Sequence, residues 1–113
     1  MTDGSHRVLV HIATADEWAA AQDAGEVRPP SLATEGFVHC SWDHQVAATV
    51  ERHMPGRTDL LLLHLDPAEL GAPLVEEDSY RSGSAYPHVY GPVPVAAVVA
   101  VVPFNSPTDP ADQ

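Results

Sequence analysis

The chain has 113 residues, 44% of them hydrophobic, with a formal net charge of −11 and one cysteine, Cys40. That suffices for one domain with one core, while no apolar stretch reaches the roughly 18 residues of a membrane span. The acidity excludes broad electrostatic binding to DNA or long RNA, and a lone thiol excludes an internal disulfide.

With a polar start at Met1–His6 and no signal-peptide core, a cytoplasmic protein with no membrane partner is the expectation. All five basic residues are arginines, at 7, 28, 52, 57 and 81, accompanied by seven histidines. A small anion remains within reach of so acidic a chain, because one arginine or a helix N-terminus can hold a phosphate locally.

Residues 1–6 read as a disordered start, 7–104 as a single globular domain and 105–113 as a disordered tail with two prolines and no large apolar group. Arg7 to Ile12 alternates as a strand, with Val8, Val10 and Ile12 on one face and Leu9 and His11 on the other. Thr14 and Glu17 fit a capping box and Gly25 a C-terminal cap, which predicts a helix over 15–24. Arg28-Pro29-Pro30-Ser31 then predicts a loop over 26–36. Phe37 to Cys40 is a short strand. Ser41 or Asp43 caps a second helix whose apolar stripe is Val46, Ala47, Val50 and Met54, ended by Pro55-Gly56.

Asp59 to Leu65 is apolar on both faces, the pattern of a central buried strand. Asp66 to Gly71 is one helical turn, Leu74 to Glu77 a strand and 78–84 a mobile polar loop. Tyr86 to Tyr90 is extended, Pro92 and Pro94 make a corner, and Val98 to Phe104 is the last strand. Two main helices come early and the strands cluster late, so the fold class is α+β with a mostly antiparallel β-structure.

Four stretches carry a resemblance: VHIAT with a following tryptophan, RPPSLATEGFVHCS, DLLLLHLDPAEL and YPHVYGPVPVAAVVAVVPF. Over about residues 8–104 the chain resembles a bacterial family of small proteins catalogued as a domain of unknown function. That family looks like a compact, curved and split ADP-ribosyltransferase-like fold of the RNA 2′-phosphotransferase branch. The resemblance implies a cleft of nicotinamide-dinucleotide size and NAD as cofactor. Many relatives carry an acid just before the aromatic-Pro-His motif, where this chain has Ser84-Ala85.

Three histidines inside apolar runs, His11, His39 and His88, are the leading catalytic candidates. A histidine in such a run needs partners to offset burial, and three of them invite a shared polar cleft. The resemblance gives a first-strand histidine such as His11 the ribose and nicotinamide end of the ligand, and Glu76 or its neighbour Glu77 the carboxylate role; Glu76 is the choice. Arg28, Ser41, Tyr90 and Gly91 are the ligand-binding candidates: a guanidinium for phosphate, a hydroxyl donor, a stacking ring and a close backbone approach. Each also has an ordinary structural reading as ion pair, helix cap, core ring or turn. His44 and His53 read as helix-terminal residues. The functional expectation is transfer from a nicotinamide dinucleotide, or a nucleotide-binding relative that has lost catalysis. The alternatives are a non-catalytic ligand-binding module and three imidazoles on zinc.

Overall fold

Strand β1 (Leu9–Thr14) enters helix α1 (Ala15–Ala24) without a loop in the computed structural model, which describes residues 7–78, 81 and 83–104. The expected disordered ends lie outside the described residues, as do positions 79, 80 and 82 of the polar loop. Thr14 Oγ1 accepts from the Glu17 N–H at 3.0 Å. Gly25 ends α1 at φ 86°, a left-handed conformation that a Cβ would disfavour.

The segment 26–36 is not one loop. It forms strand β2 (Glu26–Val27) and helix α2 (Pro30–Thr34). Proline cannot continue a helix, but it can begin one, because the first N–H of a helix has no partner to lose. The α+β class holds, with three α-helices among the described residues in place of two.

Strand β3 (Val38–His39) is shorter than expected and gives way at once to β4 (Ser41–Trp42). A 3-10 turn over Asp43–Gln45 then leads into α3 (Val46–His53). Neither Ser41 nor Asp43 caps α3. Ser41 is a buried strand residue, and the turn is closed by Gln45 Oε1, which accepts the Trp42 N–H at 2.9 Å. The remaining strands are β5 (Leu60–Leu65), β6 (Leu74–Glu77), β7 (Tyr86–Val89), β8 (Val93–Pro94) and β9 (Val98–Pro103).

Among the described residues the paired strands are all antiparallel and fall into three sheets: β4-β1-β5-β9, β3-β7-β6 and the pair β2-β8. β5 is central, as its two apolar faces require, with Leu63 opposite His11 on one side and Val101 on the other. Both faces of β1 are covered. Leu9 and Ala13 pack with Val38, Cys40, Leu63 and Val89, while Val10 and Ile12 pack with Val46 and Val50 of α3.

The chain changes sheet at Cys40. Its N–H still bonds Pro87 O at 3.0 Å, in line with the β3–β7 pairing, yet the next two residues pair with β1. β4 meets β1 only at Leu9 and Val10, so from His11 onward that side of β1 has no strand beside it among the described residues. The separation of β3 from β4 opens a gap there, and α3 faces it.

Gly91 follows β7, and a Cβ built on it would lie 2.9 Å from Ala72 Cβ. The glycine is needed for packing between two chain segments. Gly91→Ala should destabilise the fold by about 1–3 kcal/mol, as overpacking does, and adding Ala72→Gly should restore part of the loss. Urea midpoints test this; an unchanged midpoint for Gly91→Ala would show that the two segments do not meet so closely.

Candidate functional site

The gap holds a cleft of about 250 Å³. His11 and Ile12 of β1, with Cys40 and Ser41 at the sheet switch, supply its buried side. Thr49, Arg52 and His53 of α3, with Met54 at its C-cap, form the facing wall, and His39 and Tyr86 complete it. No carboxylate lines it among the described residues.

His11 is fixed at both ring nitrogens. Nδ1 lies 2.8 Å from His39 O, and Nε2 lies 2.9 Å from Glu17 Oε2. A carbonyl only accepts, and a carboxylate accepts when ionised, so both nitrogens carry protons and the ring is an imidazolium. Burial opposes this charge most strongly, but the adjacent Cys40 sulfur and the Glu17 carboxylate together outweigh it and raise the His11 pKa from 6.5 to about 10. Since both N–H groups are committed, His11 offers the cleft a fixed positive charge rather than a donor for a ligand hydroxyl.

His39 lines the cleft, and its Nε2 donates to Glu35 Oε1 at 2.6 Å. Glu35 is the C-terminal cap of α2, four residues earlier, so the helix that replaced the expected loop positions this partner. Directly across the β3–β7 ladder lies His88, whose ring centroid is 5.2 Å from that of His39. His88 is fully buried and does not line the cleft. Phe37 stacks on its ring at 4.0 Å, its Nδ1 donates to Glu77 Oε1 at 2.8 Å, and its buried Nε2 has no partner among the described residues. The Tyr90 hydroxyl donates to the same Glu77 oxygen at 2.5 Å. That hydroxyl and the His88 ring hold the Glu77 pKa below its usual value, and Glu77 in turn raises the Tyr90 pKa.

Ser41 lies on the cleft wall, but its proton is committed. Thr49 Oγ1 donates to Gln45 O at 3.1 Å, so in the 2.9 Å contact between the two hydroxyls Ser41 is the donor. The pair offers lone pairs to a ligand.

The other expected residues stand elsewhere. Glu76 lies on the opposite face of β6 from Glu77; it accepts from Trp42 Nε1 at 3.0 Å and pairs with Arg7, whose guanidinium stacks over the Trp42 ring. Arg28 pairs with Glu26 on the surface. Tyr90 belongs to the Glu77 cluster, and Gly91 packs against Ala72. Thus His11, His39 and Ser41 meet at the cleft, His88 sits one ring behind it, and Glu76, Arg28, Tyr90 and Gly91 do not line it. Among the described residues no group of three or more His, Cys, Asp and Glu side chains is placed to hold a metal ion. No helix among them is long and apolar enough to cross a membrane.

Five contributors escaped the sequence reading. Glu17 was visible as half of a capping box, but its carboxylate turns to His11 rather than to the helix entry. Thr49, Arg52 and His53 fall at i, i+3 and i+4, one face of α3 that a reading centred on its apolar stripe passes over. Glu35 lay in the expected loop.

The fold and site define a small α+β domain with a histidine-lined cleft at a break between antiparallel sheets. The chain belongs to the family described as Protein of unknown function (DUF952), whose model matches residues 12–101. It is similar to protein CC0527 from Caulobacter crescentus: the crystal structure is 29% identical, with 90% of each chain covered and a TM-score of 0.79. The solution structure of the same protein gives 25% identity, 87% and 84% coverage and a TM-score of 0.66. No curated protein matches the chain.

The clamp on His11 predicts a pH dependence. A pKa raised from 6.5 to about 10 means that the folded state keeps a proton that the unfolded chain releases. The resulting stability is fully present below pH 6.5 and is lost as pH rises through 10. Glu17→Gln should lower the melting temperature near pH 7, and the gap to wild type should close as pH approaches 10. A gap that stays constant from pH 6.5 to 10 would contradict an ionic clamp.

Proposed function

We propose that the cleft binds a small anion, best suited to the phosphate end of a nucleotide-like ligand. The carrying observation is the composition of its walls. Four of ten lining residues are His or Arg, in a chain with only 5 arginines and 7 histidines among 113 residues and 16 acids. The His53 pKa is lowered first by burial and then by Arg52 and His39, so like charges already crowd the mouth. An anion placed between them relieves that repulsion.

The finer form of this reading rests on the sequence resemblance: an ADP-ribosyltransferase-like fold in which a nicotinamide dinucleotide serves ADP-ribosyl or phospho-transfer, or a relative that binds the nucleotide without turnover. The charges suit a pyrophosphate, with Arg52 and His53 as its holders. The volume restricts the fit. At about 250 Å³ the cleft falls below the roughly 300–1,000 Å³ of pockets that enclose drug-sized ligands, so it suits one phosphorylated portion with the remainder on the surface. Glu17 and Glu35, rather than Glu76, are the carboxylates joined to the cleft's histidines, which favours them as positioning groups in any such chemistry.

Titration calorimetry with ADP-ribose, AMP and inorganic phosphate, against adenosine and nicotinamide, tests the reading. Phosphorylated probes should bind and raise the melting temperature, and the neutral ones should not. Affinity should rise as pH falls from 8 to 6, because binding draws a proton onto His53. Arg52→Gln should weaken binding by about tenfold or more, the worth of a charge-assisted hydrogen bond. Equal binding of adenosine and AMP, or no binding of any probe to the folded protein, would overturn it.

A further inference from the structure

We infer that two copies of this chain pair through β9 in an antiparallel, two-fold arrangement that joins their four-stranded sheets into one of eight strands. β9 stands at the end of its sheet, paired with β5 on one side and with no strand on the other among the described residues. Phe104 N–H bonds Leu60 O at 3.0 Å. With the alternation of the pleat, Val102 and Ala100 also turn their peptide groups toward β5, and Val101 turns its own outward. The edge therefore presents backbone groups that another strand can satisfy.

Natural proteins blunt such edges with charges, prolines or brevity. The edge of the second sheet follows that rule: β6 carries Glu76 and Glu77. β9 does not. Residues 91–104 contain no charged or polar side chain, and proline enters the strand only at its last position, Pro103. Val99 is 66% exposed, and Val101 and Val102 are each 39% exposed, so apolar surface is uncovered on both faces of the edge. Single exposed valines are ordinary; three along one edge strand are the pattern of a surface that is normally covered.

Two observations select a second copy as the occupant. The run Val98-Val99-Ala100-Val101-Val102 reads the same in both directions. Antiparallel pairing about Ala100 sets Val98 against Val102 and Val99 against Val101, so every cross-strand pair is a matched apolar one, as a two-fold interface requires. Charge points the same way. Two chains of net charge −11 repel over most of their surfaces, and this uncharged strip lets them approach without opposing like charges. β1 and the cleft lie on the far side of β5 from β9, so pairing leaves both clefts open. The inference does not depend on what the cleft binds.

Sedimentation equilibrium of the full chain at about 0.1 mM, a concentration at which even a micromolar dimer is nearly complete, should give twice the 12.1 kDa chain mass. Val99→Lys and Val101→Lys should return the mass to that of one chain with an unchanged far-UV spectrum. Should either lysine variant misfold, Ala100→Cys gives an independent reading. It should cross-link to itself under mild oxidation, because cross-strand partners lie within disulfide reach, whereas Val75→Cys on β6 should not. A wild-type mass of one chain, a folded Val99→Lys variant that remains dimeric, or cross-linking of Ala100→Cys no faster than Val75→Cys would each overturn the inference.

Discussion

One buried ring ties three parts of this molecule together. His11 belongs to the four-stranded sheet, the carbonyl that accepts from its Nδ1–H belongs to β3 in the second sheet, and the carboxylate at Nε2 belongs to α1. A charge at 5% exposure is tolerable only because both of its protons are received. Removing one partner of such a pair typically costs about 3–5 kcal/mol, since the remaining charge is stranded. The clamp therefore fixes the spacing between the two sheets at the point where the chain crosses from one to the other, and that spacing is the cleft.

The arrangement also explains how so acidic a chain presents a cleft with no carboxylate on its walls among the described residues. Glu17 and Glu35 grip His11 and His39 without lining the cleft themselves, and the ring faces are left to it. Arg52 and His53 come from one turn of α3, which begins where the 3-10 turn at Asp43–Gln45 aims it back over β1. Beyond a Debye length of about 8 Å at physiological salt, a ligand meets mainly the screened overall charge of −11; inside the cleft it meets the local one. On the proposed anion-binding reading, such a site favours compact anions that enter fully over polyanions that must lie along the surface.

Much of the frame was legible because its signals are local. The alternation of β1, the Thr14 and Gly25 caps of α1 and the two-faced apolar run of β5 follow from neighbouring residues, and each stands where it was expected. Of the three histidines expected to share one cleft, His11 and His39 line it and the buried His88 sits behind it. What failed depended on partners distant in sequence or on dual roles. Pro30 was read as a breaker and is a helix start. Ser41 was read as a cap and is a strand residue, because the pull of β1 on Ser41-Trp42 outweighs the capping preference. Glu76 and Glu77 are indistinguishable in sequence, and only the pairing register of β6 on β7 sends Glu77 to His88 and Glu76 to Trp42.

Ring nitrogen chemical shifts of the histidines, recorded by long-range proton–nitrogen NMR at pH 8, test the central claim most directly. A free histidine is mostly neutral there, with one protonated and one bare nitrogen. His11 should show two protonated nitrogens, the mark of an imidazolium held between a carbonyl and a carboxylate. A His11 ring with one bare nitrogen at that pH would contradict the account, since the clamp on which the cleft is built would then carry no charge.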